Sequence, residues 1–209
     1  MSSVLSEAMA DLNEDVVLAE IDRLKEAGTP PLAIIAALQE GMAVVGQRFE
    51  EKDYFLSELI MSAEIFNEAG KKLGTEATDA AGTLGTLVLG TVAQDVHDIG
   101  KNIVRSVLAS HGVKVVDLGV DVPAAKFVEA IREHRPAAVG ISCLLTTCFG
   151  NVKACIEAID AAGLRDGLKV LVGGGPLDEA AGRYVGADLV CKDAMTAVGW
   201  FKARAAVVA

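Results

Sequence analysis

Aromatic side chains are scarce in this chain: Phe, Tyr and Trp make up 4% of its 209 residues, although 52% of the residues are hydrophobic. Its apolar character therefore comes from Ala, Val, Leu and Ile. Long apolar runs are missing too, and none approaches the roughly 18 to 20 residues that a bilayer crossing requires. Basic clusters are also lacking. With 19 Lys and Arg against 29 Asp and Glu, a net charge of −10, no stretch could neutralise phosphates along a duplex, which excludes nucleic acid as a partner. The four cysteines, Cys143, Cys148, Cys155 and Cys191, form no Cys-x-x-Cys pair. That spacing excludes a zinc knuckle or a dithiol redox site and leaves buried, reduced thiols. The opening residues Met1 to Glu7 lack the basic and apolar segments of a signal peptide. A soluble, cytoplasmic protein without a membrane partner is the expectation.

A chain of this length accommodates one large or two small domains, and its patterning changes once along the way. In the first third Leu56, Leu59, Ile60, Ala63, Phe66 and Leu73 recur at three- and four-residue steps, the stripe of an amphipathic helix. Thr29-Pro30-Pro31 supplies a cap residue and prolines suited to a first turn, followed by a helical period through Ile34, Ile35, Leu38, Met42, Val45 and Phe49. Val16 to Ala27 reads as a helix ended at Gly28, and Leu5 to Leu12 as a shorter one. These predict a four-helix bundle. Gly74 to Gly85 loses the period and reads as a linker.

Beyond it, short apolar runs alternate with helical segments. Strands are expected at Thr86–Val92, Lys114–Leu118, Ala137–Ser142, Lys169–Val172 and Asp188–Cys191, with helices at Lys101–His111, Pro123–His134, Gly150–Ala162, Asp178–Tyr184 and Ala194–Ala205. Strict alternation means a parallel sheet covered on both faces. The expected fold is therefore α/β, with an N-terminal four-helix bundle over residues 1–80 and a flavodoxin- or Rossmann-like five-stranded parallel sheet with flanking helices over 85–209.

Ligands of such sheets bind beyond the carboxyl ends of the strands, where the strand order reverses. In the order 2-1-3-4-5 that place lies between the first and third strands. Asp95-Val96-His97-Asp98-Ile99-Gly100 follows the first strand, Ser142-Cys143-Leu144-Leu145-Thr146 the third, and Gly173-Gly174-Gly175 the fourth. A carboxylate two residues before a histidine can accept one ring N–H, which fixes the tautomer and frees the other nitrogen for a metal. Other chemistries fit less well. A Ser142, His97 and Asp95 hydrolase is argued against by Gly140-Ile141-Ser142-Cys143-Leu144, which breaks the nucleophile elbow at its last position. A histidine-aspartate phosphohydrolase would need more histidines, and His111 and His134 read as solvent-facing helix ends. The triple glycine lacks the spacing of a dinucleotide loop.

Together these segments resemble the cobalamin-binding module shared by methionine synthase and the small corrinoid proteins of methyltransferase systems. Its Asp-x-His-x-x-Gly motif matches Asp95, His97 and Gly100, its Ser-x-Leu matches Ser142 and Leu144, and its Gly-Gly matches Gly173 and Gly174. Asp117-Leu118-Gly119, Val122-Pro123-Ala124 and, in the bundle, Gly41-Met42, Val45-Gly46 and Tyr54 to Leu59 also match. The resemblance implies a cobalamin or related cobamide, cycling between methylcobalamin and cob(I)alamin. His97 would be its cobalt ligand, oriented by Asp95 and flanked by Val96, Asp98 and Ile99. The displaced nucleotide tail would lie in a channel past Ser142, Leu144, Thr146, Cys148, Gly173 and Gly174. The bundle would cap the upper face of the corrin, with Phe49 and Leu56 against it.

Two positions depart from the family pattern: Gln94 stands where glycine is usual, and Cys148 stands where methionine synthase completes its proton relay with serine. A thiol is a weak hydrogen-bond partner, so the relay would be shortened or retuned.

By resemblance the chain is a carrier, inert alone, that shuttles a methyl group. Its implied partners are a substrate:corrinoid methyltransferase, a corrinoid:tetrahydrofolate or thiol methyltransferase, and a reductive activator. Two related roles are alternatives. The small subunit of an adenosylcobalamin-dependent mutase generally lacks the helical cap, and a cobalamin-based regulator usually adds a DNA-binding or signalling domain.

Overall fold

The computed structural model describes residues 3–73 and 84–208. The expected linker, apart from its last two residues, lies outside them. The chain forms two compact units, one of Met1–Thr83 with Ser106–Val113 and one of Leu84–Arg105 with Lys114–Ala209.

The first unit holds four helices, α1 (Ser3–Ala10), α2 (Glu14–Glu26), α3 (Pro31–Glu50) and α4 (Leu56–Leu73). Each packs against the other three. Asn13 caps α2 by accepting from the Val16 N–H, with Glu14 and Asp15 in the first turn and Arg23 and Lys25 in the last. Those charges complement the helix dipole. Pro30, rather than Thr29, holds the N-cap position of α3, where no side chain caps and Pro31 occupies the first turn. The bundle core joins Leu5, Met9, Val17, Ile21, Ile34, Leu38, Met42, Phe66 and Ala69. A β-carbon on Gly41 would lie 2.5 Å from Met9 Cβ and from the Ser6 carbonyl oxygen. Only a residue without a side chain lets α1 and α3 approach this closely. Arg48 near the end of α3 donates to the Ala10 carbonyl at 2.8 Å, to Asp11 and to the Tyr54 hydroxyl, tying the α3–α4 turn to the end of α1.

The second unit alternates strands and helices: β1 (Gly85–Thr91), α5 (Ile99–Ser110), β2 (Val113–Asp117), α6 (Ala124–His134), β3 (Ala138–Ser142), a 3-10 turn (Thr146–Cys148), α7 (Phe149–Ala161), β4 (Lys169–Gly173), α8 (Glu179–Val185), β5 (Leu189–Cys191) and α9 (Ala194–Val208). The sheet order is β2-β1-β3-β4-β5, and it is parallel. Alternate strand residues, Val88, Val139, Ile141, Val170, Val172 and Val190, meet Phe127 and Ile131 of α6, Val152, Ile156 and Ile159 of α7, and Val185 of α8. Leu87, Leu89 and Leu171, on the opposite face, are buried as well. Burying each such side chain contributes about 1.5–3 kcal/mol, and the period of two explains why the strands read as unbroken apolar runs.

One element is unexpected, and two local expectations need correction. The 3-10 turn before α7 is not visible in the sequence pattern, and α5 starts at Ile99 rather than Lys101. His111 is buried rather than solvent-facing, its Nδ1 2.9 Å from the Val107 carbonyl oxygen. Among the described residues no helix is long and apolar enough to cross a membrane.

Candidate functional site

The register Thr91↔Ser142↔Gly173 brings the carboxyl ends of β1, β3 and β4 level at the point where strand order reverses. The loops after β1 and β3 are joined by the carboxylate of Asp95, which is fully buried. One oxygen, Oδ1, accepts the His97 main-chain N–H at 3.1 Å and lies 2.6 Å from His97 Nδ1. The other, Oδ2, accepts the Leu144 and Leu145 N–H groups at 2.7 and 3.1 Å. Burial pushes the Asp95 pKa up, but the hydrogen bonds from His97, Leu144 and Leu145 outweigh it, and the carboxyl lies at about 2. An ionised carboxylate can only accept. The proton in the 2.6 Å contact therefore sits on Nδ1, and Nε2 is the ring nitrogen directed away from the carboxylate.

His97 is held at its backbone as well, where its carbonyl accepts the Thr91 hydroxyl at 2.9 Å. Its side chain is 49% exposed. Around it lies an apolar rim: Val96 and Ile99 are 68% and 77% exposed, and Val120, Leu144 and Leu145 are exposed too. Val120, which the sequence pattern alone did not single out, is recognisable as an apolar residue placed just after β2.

Gly174 adopts φ +140°, and a β-carbon there would lie 1.9 Å from the Cys143 carbonyl oxygen. The β4 loop passes the β3 loop at a distance that admits no side chain. Gly173 is the last residue of β4, and Gly100 has open space where a side chain would be. Ser142 ends β3, and its carbonyl accepts the Val92 N–H. Exposed Thr146 begins the 3-10 turn. Asp98, just before α5, accepts the Asn102 side-chain N–H with its carboxylate and the Asn102 main-chain N–H with its carbonyl. In the first unit, Phe49 lies half-buried near the end of α3 and Leu56 is exposed at the start of α4.

The two departures from the family pattern have structural answers. Gln94 takes the left-handed conformation itself, φ +68°. Around it Asp121 accepts the Gln94 N–H at 2.7 Å, and Asn151 donates to the Ala93 carbonyl and to the Gln94 side chain. The Cys148 thiol donates to the Gln94 carbonyl at 3.4 Å, so it braces this bend rather than extending a relay from Asp95. Cys143 is buried beside Asp95; burial foremost, and then that negative charge, pushes its thiol up to about 12.

A partly buried ion pair supports the loop after β2. Lys101 Nζ lies 2.8 and 2.7 Å from the two carboxylate oxygens of Asp117, and Arg105 approaches at 3.4 Å. Asp117 also accepts the Gly119 N–H at 2.9 Å.

This donor set suits a metal held by a macrocycle. Among the described residues no group of three or more His, Cys, Asp and Glu could hold a bare ion. A single imidazole whose Nε2 points away from the carboxylate, on a loop that carries exposed Val96 and Ile99, could instead serve a metal that brings its own chelating ring.

Comparison with known proteins places the chain among cobalamin-binding and corrinoid proteins. Residues 85–199 match a B12 binding domain model, and residues 3–73 match a second B12 binding domain model. The chain is 40% identical over 198 residues to dimethylamine corrinoid protein 1 of Methanosarcina mazei, covering 93% of this chain and 91% of that one. Among solved structures it is similar to a cobalamin-binding protein from Desulfitobacterium hafniense, with 36% identity, a TM-score of 0.78 and 95% of each chain covered. It is also similar to the methanol:cobalamin methyltransferase complex from Methanosarcina barkeri, with 30% identity and a TM-score of 0.83 over 97% of this chain and 78% of that one.

Proposed function

This chain belongs to the B12-binding corrinoid proteins of methyltransferase systems, and from that membership we propose that it carries methyl groups on a cobamide bound base-off, with His97 as the axial ligand. The observation that carries this reading is the 2.6 Å contact between ionised Asp95 and His97 Nδ1, which directs the Nε2 lone pair away from the carboxylate. When bound, the cobamide supplies a cobalt centre that accepts and releases a methyl group.

The remaining work falls to the chain's own residues. His97 ligates, and Asp95 fixes its tautomer. Val96, Ile99 and Leu144 offer apolar surface to the corrin, while Asp98 and Gly100 shape the turn beneath it. Ser142, Thr146, Cys148, Gly173 and Gly174 form the channel for the nucleotide tail. Residues 1–80 act as the cap, with Phe49 and Leu56 shielding the methyl group from water, and 85–209 as the cobamide-binding domain. One cytoplasmic methyltransferase holds the methyl donor, and a second serves tetrahydrofolate or a thiol. A reductive activator would be the third partner.

The test is reconstitution with hydroxocobalamin, comparing visible spectra of wild type and His97→Ala. Wild type is expected to show a base-off, imidazole-ligated spectrum that the variant lacks. An unchanged spectrum in the variant overturns the ligand assignment. Adding a purified methylamine:corrinoid methyltransferase and its substrate should then change the wild-type spectrum to the methylated form.

A further inference from the structure

We propose that Thr91 is a positioning residue for the cobalt ligand, its hydroxyl anchoring the main chain of His97 to the end of strand β1. This inference rests on the reading of His97 as that ligand. Thr91 is fully buried, and all its polar groups are engaged. Its N–H donates to the Gly119 carbonyl at 3.0 Å, and its carbonyl accepts the Val122 N–H at 2.9 Å. Its hydroxyl donates to the His97 carbonyl at 2.9 Å. Gly119 is itself held through its N–H by Asp117, the partner of buried Lys101. The hydroxyl thus projects from a point that β1 and the β2 loop fix together.

Asp95 sets the ring through its two contacts with His97 and ties its end of the turn to the loop after β3, but none of these bonds reaches the strand β1 from which the turn departs. The hydroxyl ties the His97 end of the same turn to the end of β1, a second anchor that works with the Asp95 contact to the β3 loop. Strand packing by itself asks for no hydroxyl here. A fully buried, β-branched position at a strand end suits valine at least as well as threonine, and the hydrogen bond that the hydroxyl donates goes to His97.

The test compares Thr91→Val, which keeps the shape, with Thr91→Ser, which keeps the hydroxyl, each loaded with hydroxocobalamin. Cyanide displaces the axial imidazole, and its midpoint concentration reads how firmly His97 is held. Removing one net hydrogen bond predicts displacement at roughly fivefold lower cyanide in Thr91→Val and a wild-type midpoint in Thr91→Ser. Paramagnetic resonance of the cobalt(II) form should show a reduced imidazole-nitrogen splitting fraction in Thr91→Val alone. Equal midpoints in wild type and Thr91→Val, or equal shifts in both variants, overturn the inference. Wild type without nitrogen splitting overturns the ligand reading instead. Should Thr91→Val fail to fold, Thr91→Ala against Thr91→Ser makes the same comparison.

Discussion

The Leu144 main-chain N–H donates to Asp95 Oδ2 at 2.7 Å across 49 residues of sequence. The orientation of His97 is therefore set by the loop after β3 as much as by its own turn. Asp95→Asn would place an amide N–H₂ or a neutral carbonyl against the two converging amides. Charged hydrogen bonds of this kind are worth about 1.5–3 kcal/mol, so the cofactor-free variant should be less stable by about 2 kcal/mol in urea unfolding. His97 should also be displaced from cobalt by less cyanide.

Gly174 tests the close approach of the two site loops. Alanine there meets the Cys143 carbonyl oxygen and a backbone angle that L residues rarely adopt. Gly174→Ala should cost at least about 2 kcal/mol and reduce cobalamin uptake on reconstitution. Alanine at Gly100, where space is open, should leave stability within about 0.5 kcal/mol.

Gln94→Gly probes the reverse case. A non-glycine residue in the left-handed region stores about 1–2 kcal/mol, and the hydrogen bond that the Gln94 side chain accepts from Asn151, at 3.3 Å, is exposed and contributes little. The variant should be more stable by roughly 0.5–1 kcal/mol, as read by the urea midpoint at constant slope.

The Lys101–Asp117 pair should give a defined acid response. Burial raises the Asp117 pKa, but the hydrogen bond from Lys101, the Gly119 N–H and the charges of Lys101 and Arg105 outweigh it. The net effect is a pKa below 3.8. A carboxyl depressed in the fold contributes stability that is complete above its unfolded value and lost as pH falls below it. Wild type should therefore lose stability below about pH 4 by a part that Asp117→Asn does not show. At neutral pH Asp117→Asn leaves the buried Lys101 ammonium with neutral acceptors only, Asn102 Oδ1 among them, and should cost about 2–3 kcal/mol. Thermal unfolding of the cofactor-free protein across pH separates the two effects.

Much of the architecture is legible in the residues themselves. The alternation of apolar runs with 3.6-residue periods gives the parallel sheet because parallel strands need covering helices, and the Asp95, His97 and Gly174 segments then fall at the switch point. The missing parts are those made by the main chain. The Leu144 and Leu145 amides that hold Asp95 have no signature in side-chain type. The Thr91 hydroxyl is indistinguishable in sequence from any strand threonine. Cys148 matches a relay position by spacing, yet the backbone bend at Gln94 sets its partner. His111 reads as a helix end facing water because one-dimensional spacing does not say what lies over a helix terminus.

The contact between Asp95 and the amides after β3 has a consequence for biogenesis. A nascent chain that has left the ribosome only as far as α5 contains the imidazole but neither the amides that hold the Asp95 carboxylate nor the glycine that lets the β3 and β4 loops pass closely. Capture of the corrin must wait until β3 and β4 have docked beside β1. A chain truncated before β3 should therefore emerge unable to retain the cofactor, however completely its first helices have formed.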